Sequence, residues 1–138
     1  MTSIKITEDM LQAQCVEWFK AQYPDKIIYA IPNGGSRNKI EAAKLKRCGV
    51  LPGVPDLCIP SVHTCAPRYK SINQELIYSS LVSQIRVGLY IELKAGKNKL
   101  TKNQEKIKLY LSRQGYEVCV CYTFEEFVKV VKEYFDDN

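Results

Sequence analysis

The sequence predicts an α/β domain in which a mixed central sheet is covered by helices on both faces. Segments with helix caps alternate along the chain with short apolar runs that are typical of strands. No internal repeat or low-complexity tract interrupts this alternation. The length of 138 residues fits one domain with one core, so residues 1–138 are expected to form a single domain.

Four segments combine helical spacing with residues that begin or end helices. They cover residues 8–23, 39–48, 102–114 and, after a capping box of Thr123 and Glu126, the stretch as far as Tyr134. In the first helix, one face carries Cys15 and Phe19 with Glu8 at its head. This spacing predicts that Glu8 lies on a stripe that faces the core.

Four other segments have the composition or the alternation of strands, and they cover residues 26–31, 57–59, 88–94 and 116–122. The stretch between the second and the third is irregular. Residues 61–70 are expected to form a loop, and residues 74–85 fit either a helix or a hairpin arm. We therefore treat residues 61–87 as an insertion in the domain.

Two acidic residues lie at the ends of predicted strands. Side chains alternate along residues 88–94, so Glu92 and Lys94 share the face opposite to the core-facing leucines. Asp56 opens residues 57–59 directly after a Pro/Gly turn. A half-buried carboxylate costs free energy unless it is paired or binds a metal. An ion pair on an edge strand explains Glu92 and Lys94 by themselves. When Asp56 is considered with them, the three residues indicate a functional site.

The residue types at this position suit a hard divalent cation such as Mg²⁺. A few carboxylates, with substrate phosphate as a further ligand, are what this ion prefers, and Glu8 offers a third acid. Such a metal stabilises negative charge on phosphate oxygens and activates water. Lys94 would orient the water or neutralise the developing charge. For Glu8 the alternative is a first-turn acid that interacts favourably with the helix dipole.

Composition favours a globular protein of the cytoplasm. No apolar run is long enough to span a bilayer, and the N-terminus lacks the apolar core of a signal peptide, so no membrane partner is expected. Five of the six cysteines are expected to be small buried hydrophobic residues in a reducing compartment, namely Cys15, Cys48, Cys58, Cys119 and Cys121. His63 and Cys65 would begin a zinc site, but no second pair completes it.

Basic residues are concentrated in residues 37–47 and 94–108, and the formal net charge is +5. Such clustering suits a polyanion such as DNA, although a solvated helix face is the commoner cause of a lysine-rich run. The candidate DNA-contacting residues are Arg37, Lys39, Lys44, Lys46, Arg47, Lys97 and Lys99.

The pattern of Asp56 followed by Glu92-Leu93-Lys94 resembles the PD-(D/E)XK nuclease superfamily. The surrounding residues narrow the resemblance to the VRR-NUC (virus-type replication-repair nuclease) family. They are Glu8 with Gln12, Pro32-Asn33-Gly34 with Arg37, Leu45-Lys46 with Gly49-Val50, Pro52-Gly53-Val54-Pro55-Asp56-Leu57, Gly88-Leu89-Tyr90-Ile91-Glu92-Leu93-Lys94, and Leu100-Thr101 with Gln104, Leu111 and Gly115. This resemblance spans nearly the whole chain apart from the insertion and the C-terminal tail.

The resemblance implies a restriction-endonuclease-like fold and an endonuclease that depends on Mg²⁺ or Mn²⁺, without a small-molecule cofactor. It implies catalytic roles for Asp56, Glu92, Lys94 and Gln104, and metal ligation by Glu8, Asp56, Glu92 and the Leu93 carbonyl. Glu8 would act directly or through water. For Gln104 there is an alternative, because Thr101-x-x-Gln104 is itself a capping box.

The resemblance also implies a substrate and an assembly. Stand-alone members of the family, some of them encoded by phages, look like homodimers that cut branched DNA, as a Holliday-junction resolvase does. Three alternatives remain open at this point. They are a nuclease that cuts flaps, single strands or ordinary duplex, as a restriction-like or nicking enzyme does, a module that binds nucleic acid without cutting it, and a structural domain in which Glu92 and Lys94 form only an ion pair.

Overall fold

The computed structural model describes residues 4–32, 38–64 and 85–135. Its helices are α1 (Glu8–Gln22), α2 (Lys39–Arg47), α3 (Lys102–Arg113) and α4 (Phe124–Tyr134). Its strands are β1 (Tyr29–Ala30), β2 (Leu57–Ile59), β3 (His63–Thr64), β4 (Ile85–Arg86), β5 (Leu89–Leu93) and β6 (Glu117–Cys121).

A mixed four-stranded sheet organises the domain, in the order β1-β2-β5-β6. The first two pairings are antiparallel, and β5 pairs with β6 in parallel. The predicted α/β class with a mixed sheet is therefore confirmed. Strand β5 lies between β2 and β6 and is therefore not an edge strand. The interpretation of Glu92 and Lys94 as an ion pair on an edge strand is wrong in that respect.

Both faces of the sheet are covered, as predicted. On one face, the β5 residues Leu89, Ile91 and Leu93 are at most 1% exposed, in a core that includes side chains of α1 and α4. The other face carries Glu92, to which α3 is hydrogen-bonded, and α3 packs against β6. Helix α3 therefore covers the face that bears the acidic residues.

The caps place the helix ends close to the predicted positions. The side chains of Thr7, Asn38, Thr101 and Thr123 each accept a bond from an amide of the first turn. The first strand is shorter than predicted, because the Lys26 amide donates to the Tyr23 carbonyl at 3.1 Å and so belongs to a turn. Residues 26–28 consequently do not join β1.

The insertion differs in part from its prediction. Within the predicted loop of residues 61–70, His63–Thr64 forms β3 and pairs in antiparallel fashion with β4. The prediction for residues 74–85 falls on residues outside the described ranges, apart from Ile85 in β4. The predicted turn of residues 32–37 includes Arg37, and all of this turn except Pro32 also lies outside the described ranges.

The cysteines of the described ranges are free thiols. Cys15, Cys58 and Cys121 are buried, as predicted, whereas Cys119 is only partly buried. The prediction is wrong for Cys48, which is exposed because it caps α2, a helix that buries none of its residues. Burial raises the pKa of the Cys15 and Cys121 thiols to about 12. In residues 4–32, 38–64 and 85–135, no helix has the length and apolar character needed to cross a membrane.

Candidate active site

Asp56 and Glu92 lie at the adjoining ends of β2 and β5. Leu57 is paired with Ile91, so Asp56 stands one step further along, next to Glu92. The Leu93 amide donates to Asp56 Oδ2 at 2.7 Å. This bond joins the two strand ends directly and fixes the orientation of the Asp56 carboxylate.

Glu92 is only 5% exposed, and its Oε1 atom has two partners. Gln104 Nε2 donates to it at 2.7 Å, and Lys94 Nζ lies 3.6 Å away. The ion pair expected from the sequence therefore exists. The ion pair is part of a larger set of polar side chains, which also includes Gln104 of α3 and the adjacent Asp56. An ion pair alone requires neither of them.

Gln104 satisfies both interpretations that the sequence left open. Its Oε1 atom accepts from the Thr101 amide at 2.9 Å, and Thr101 Oγ1 accepts from the Gln104 amide at 3.2 Å, which completes a capping box. Since the carbonyl oxygen of the side chain is used by the cap, its NH₂ group is directed to Glu92. The helix cap thereby orients the hydrogen bond to the acid.

Glu8 reaches the site from the first turn of α1. Its side chain is exposed, so the prediction that it lies on the core-facing stripe is wrong for this residue, although Cys15 and Phe19 are fully buried. Glu8 Oε1 accepts from the Ala95 amide at 3.2 Å, just beyond the end of β5. The first turn of α1 therefore extends past the core and brings Glu8 to the strand end that carries Lys94.

Burial and neighbouring acids raise the proton affinity of Glu92 and of Asp56. Burial is the largest cause that raises the pKa of Glu92 to about 7, the charge of Asp56 comes second, and Lys94 opposes both. Burial also raises the pKa of Asp56, and the Leu93 amide opposes this shift. Glu8 adds to the rise at both carboxyls. The site holds more acids than its lysine can neutralise, which favours binding of a cation.

The donor set fits a magnesium or manganese ion. Carboxylate and carbonyl oxygens are hard ligands, and Mg²⁺ is commonly held by one or two carboxylates together with substrate phosphate. Asp56 and Glu92 provide such a pair. Among the residues that the structure describes, no three Asp, Glu, His or Cys side chains converge enough to hold one ion. Glu8 thus fits the role of a ligand through water better than that of a direct ligand.

Two charged residues near the site were not singled out from the sequence. Asp9 adds to the rise of the Asp56 pKa. Lys108 lines a narrow crevice together with Glu92 and Gln104. Its position four residues after Gln104 puts it on the same side of α3, and this helical spacing is the sequence signal that would have identified it.

The predicted DNA-contacting cations are not drawn into this cluster. Lys39, Lys44, Lys46 and Arg47 are exposed on α2, and Lys97 and Lys99 are exposed in the turn after β5. Within the described residues, no hydrogen bond or ion pair joins any of them to the acids. These side chains therefore remain available to a polyanion.

Gly53 fixes the loop that leads to Asp56 against the start of α3. It has a φ of +94°, and a Cβ atom there would lie 2.7 Å from the carbonyl carbon of Asn103. Since Asn103 immediately precedes Gln104, this close approach sets the distance between the loop of Asp56 and the helix that carries Gln104. Only glycine satisfies both the backbone conformation and the space.

We expect Gly53→Ala to lower the free energy of unfolding by about 2 kcal/mol or more, because it combines left-handed strain with a backbone clash. Chemical denaturation measures this loss. Gly49→Ala is the matched control, since Gly49 has a φ of +102° with no atom within 4 Å of the added Cβ. Equal losses in the two variants would show that contact with Asn103 contributes nothing.

Comparison with known proteins agrees with this geometry. The sequence model of the VRR-NUC domain matches residues 6–125. A solved structure described as a VRR_NUC domain protein superposes with a TM-score of 0.67 at 24% sequence identity, covering 97% of this chain and 92% of the other, which supports the restriction-endonuclease-like fold. No curated protein matches the chain. A VRR-NUC domain indicates a nuclease-type function. The match covers most of the sequence, and the chain belongs to the VRR-NUC domain family.

Proposed function

We propose that the protein is a divalent-metal-dependent endonuclease that hydrolyses phosphodiester bonds of DNA. The observation that carries the proposal is the joined set of polar groups at the ends of β2 and β5. Asp56 is held by the Leu93 amide, and Glu92 is held by Gln104 beside Lys94. A domain with a purely structural role has no need to bury two acids beside each other, where burial raises the pKa of both carboxyls.

In the proposed mechanism, Asp56 and Glu92 would hold Mg²⁺ or Mn²⁺, the Leu93 carbonyl would be a further ligand, and Glu8 would act through water. The bound ion would supply positive charge for the phosphate oxygens and lower the pKa of water. The hydrogen bonds from Leu93 and Gln104 keep the two carboxylates oriented before substrate arrives.

Lys94 is the proposed catalytic cation. It is 8% exposed, and its ammonium group is held 3.6 Å from Glu92, so it acts from a fixed position. In the proposed reaction, the oxygen of a water molecule forms a bond to phosphorus and gives up a proton to solvent, while the P–O bond to the leaving oxygen breaks and that oxygen takes up a proton. Lys94 orients this water and neutralises the negative charge that grows on the phosphate oxygens.

The proposed substrate is branched DNA, cut by a homodimer in the manner of a Holliday-junction resolvase. A four-way junction is roughly two-fold symmetric, so a symmetric dimer would present one active site to each of two strands. The proposed surroundings are the cytoplasm, where buried thiols such as Cys15 and Cys121 stay reduced. Membranes and small-molecule cofactors have no place in this proposal.

We expect metal-dependent paired nicks on a labelled four-way junction and loss of cleavage in Lys94→Ala. A flap, a single strand and a linear duplex are compared under the same conditions, each with Mg²⁺, Mn²⁺ or EDTA. Equal cutting of all four substrates would keep the nuclease but reject the preference for junctions. Binding without cutting under every metal would replace the enzyme with a binding module.

Replacing Lys44, Lys46 and Arg47 together with alanine should weaken DNA binding and reduce its dependence on salt. These side chains lie in the last turn of α2, are exposed and have no partner in the described part of the chain. Each lost phosphate contact lowers the slope of log K against log salt by about 0.9. Replacing Lys20, Lys129 and Lys132, which lie on α1 and α4, is the control. Equal slopes in the two variants would contradict a DNA surface on α2.

A further inference from the structure

A pocket of about 240 Å³ opens beside the active site, between the start of α1, the turn after β5 and the start of α4. We call it the side pocket. Its walls include Ile6, Leu11, Gln14, Gly96, Tyr122 and Phe124. Ala95 also lines it, and the amide of Ala95 donates to Glu8 Oε1. The side pocket and the acidic cluster thus share a boundary at the residue next to Lys94.

The lining fits a neutral, planar and partly polar group. Leu11 and Phe124 provide apolar walls, and Tyr122 contributes a ring that is 36% exposed. Gln14 and Glu125 provide polar groups in the same lining. The carboxylate of Glu125 disfavours a phosphate, whereas it accepts a hydrogen bond from an amine or ring N–H. A nucleobase has this combination of a flat apolar face and polar edges.

The groups around the side pocket offer different positions to the base and to the phosphate of a nucleotide. The turn that follows Ala95 carries Lys97 and Lys99, both of them exposed. Tyr122 is tied to this turn, since its hydroxyl donates to the Asn98 carbonyl at 2.9 Å. A nucleotide at this boundary would place its backbone near cations and its base near an aromatic ring held in place by a hydrogen bond.

We propose that the side pocket receives an unpaired nucleobase of the strand that occupies the active site. This inference rests on the proposed nuclease function and deepens it. A base inside a duplex must lose its pairing and stacking before it enters a pocket, whereas an unpaired base at a branch or flap loses far less. The side pocket would therefore favour flaps, single strands and branch points that contain unpaired bases over a perfect duplex, without reading sequence.

The test uses the full chain in EDTA, so that DNA is bound and not cut. The probes are single strands, and flaps that contain an unpaired segment, in which 2-aminopurine replaces one base at a time. Stacking on an aromatic side chain quenches the fluorescence of this base. We expect quenching at one unpaired position, and none when the same oligonucleotide is fully paired.

Two variants of Tyr122 separate stacking from the hydrogen bond to Asn98. Tyr122→Ala should abolish the quenching and weaken binding of unpaired DNA by roughly tenfold or more, because base stacking on an aromatic residue is lost. Tyr122→Phe should retain both, since it keeps the ring. Tyr110→Ala, at a tyrosine that is 60% exposed on α3, is the control and should change neither.

A third variant fills the side pocket and leaves Tyr122 and the apolar walls in place. Gln14→Trp introduces a large side chain at an exposed position of α1, so the fold is expected to persist. It should weaken binding of unpaired DNA and leave binding of perfect duplex unchanged. Affinity is the readout for this variant, because the tryptophan ring itself quenches 2-aminopurine. Thermal unfolding of each variant checks that the domain remains folded.

The outcomes distinguish this inference from the proposed function. Failure of the wild type to bind any DNA would overturn both. Binding and cleavage of DNA without quenching at any unpaired position would overturn the side-pocket inference alone. Quenching that survives in Tyr122→Ala would also overturn it, as would binding of unpaired DNA by Gln14→Trp at the wild-type affinity. If Tyr122→Phe lost as much as Tyr122→Ala, the residue would act through the turn and not by stacking.

Discussion

Glu92→Gln is expected to lower DNA cleavage by about a thousandfold or more and to leave the affinity for DNA nearly unchanged. A metal ion contributes several kcal/mol of transition-state stabilisation, and the substitution removes the charge of one of its two proposed carboxylate ligands. The amide keeps the size of the side chain and still accepts the bond from Gln104. DNA affinity persists because the exposed cations are untouched and one repulsive charge is removed.

Rates under saturating metal and affinities in EDTA measure the two effects separately. Asp56→Asn should behave in the same way, because Asp56 is the other carboxylate at the strand ends. Glu105→Gln is the matched control, since this acid is exposed in the first turn of α3, next to Gln104, and lies outside the cluster. Full cleavage by Glu92→Gln or Asp56→Asn would contradict the assignment of the site.

The helices and the acids at the strand ends were predictable from sequence because their signals are local. Thr7 and Thr101 cap helices through contacts within three residues, and the alternation of β5 places Glu92 and Lys94 on one face. The extent of β1 was not predictable in this way. It depends on pairing with β2, which has only three residues, and on a turn in which the Lys26 amide donates to the Tyr23 carbonyl.

The contacts within the site that could not be predicted from sequence depend on distances between elements. Glu8 was predicted to face the core from its helical spacing, but its position relative to the end of β5 decides its contact with Ala95. Gln104 was assigned either to a cap or to a site, since a pattern of residues does not show that one amide reaches both Thr101 and Glu92. The electrostatic effect of Asp9 on Asp56 likewise requires the folded arrangement.

In the absence of divalent metal, Glu92 should make the folded protein less stable as pH rises from about 4.5 to about 7. Folding raises the pKa of this carboxyl from 4.5 to about 7, so the folded state holds the proton more tightly than the unfolded state. Its contribution to stability is fully present below pH 4.5 and is lost as pH rises through about 7. The raised pKa of Asp56 acts in the same direction.

The comparison of wild type with Glu92→Gln isolates this contribution from those of the other titrating groups. Glu92→Gln lacks the titrating carboxyl, so its free energy of unfolding relative to wild type should increase by about 3 kcal/mol between about pH 4.5 and pH 8. Urea denaturation in EDTA at several pH values measures the difference. A difference that stays constant with pH would show that the Glu92 carboxyl has an ordinary pKa in the folded protein.

A divalent metal should reverse the trend, because the repulsion that destabilises the metal-free site at high pH favours binding of a cation there. Mg²⁺ or Mn²⁺ at a hundredfold excess over its Kd adds about 2.7 kcal/mol to the free energy of unfolding. This gain should be large at about pH 8 and small at about pH 5, since carboxylates bind metal only after they lose their protons. Thermal unfolding of wild type should show the gain, and Glu92→Gln and Asp56→Asn should show little. Equal stabilisation of all three proteins would mean that the metal binds elsewhere and that these acids serve another purpose.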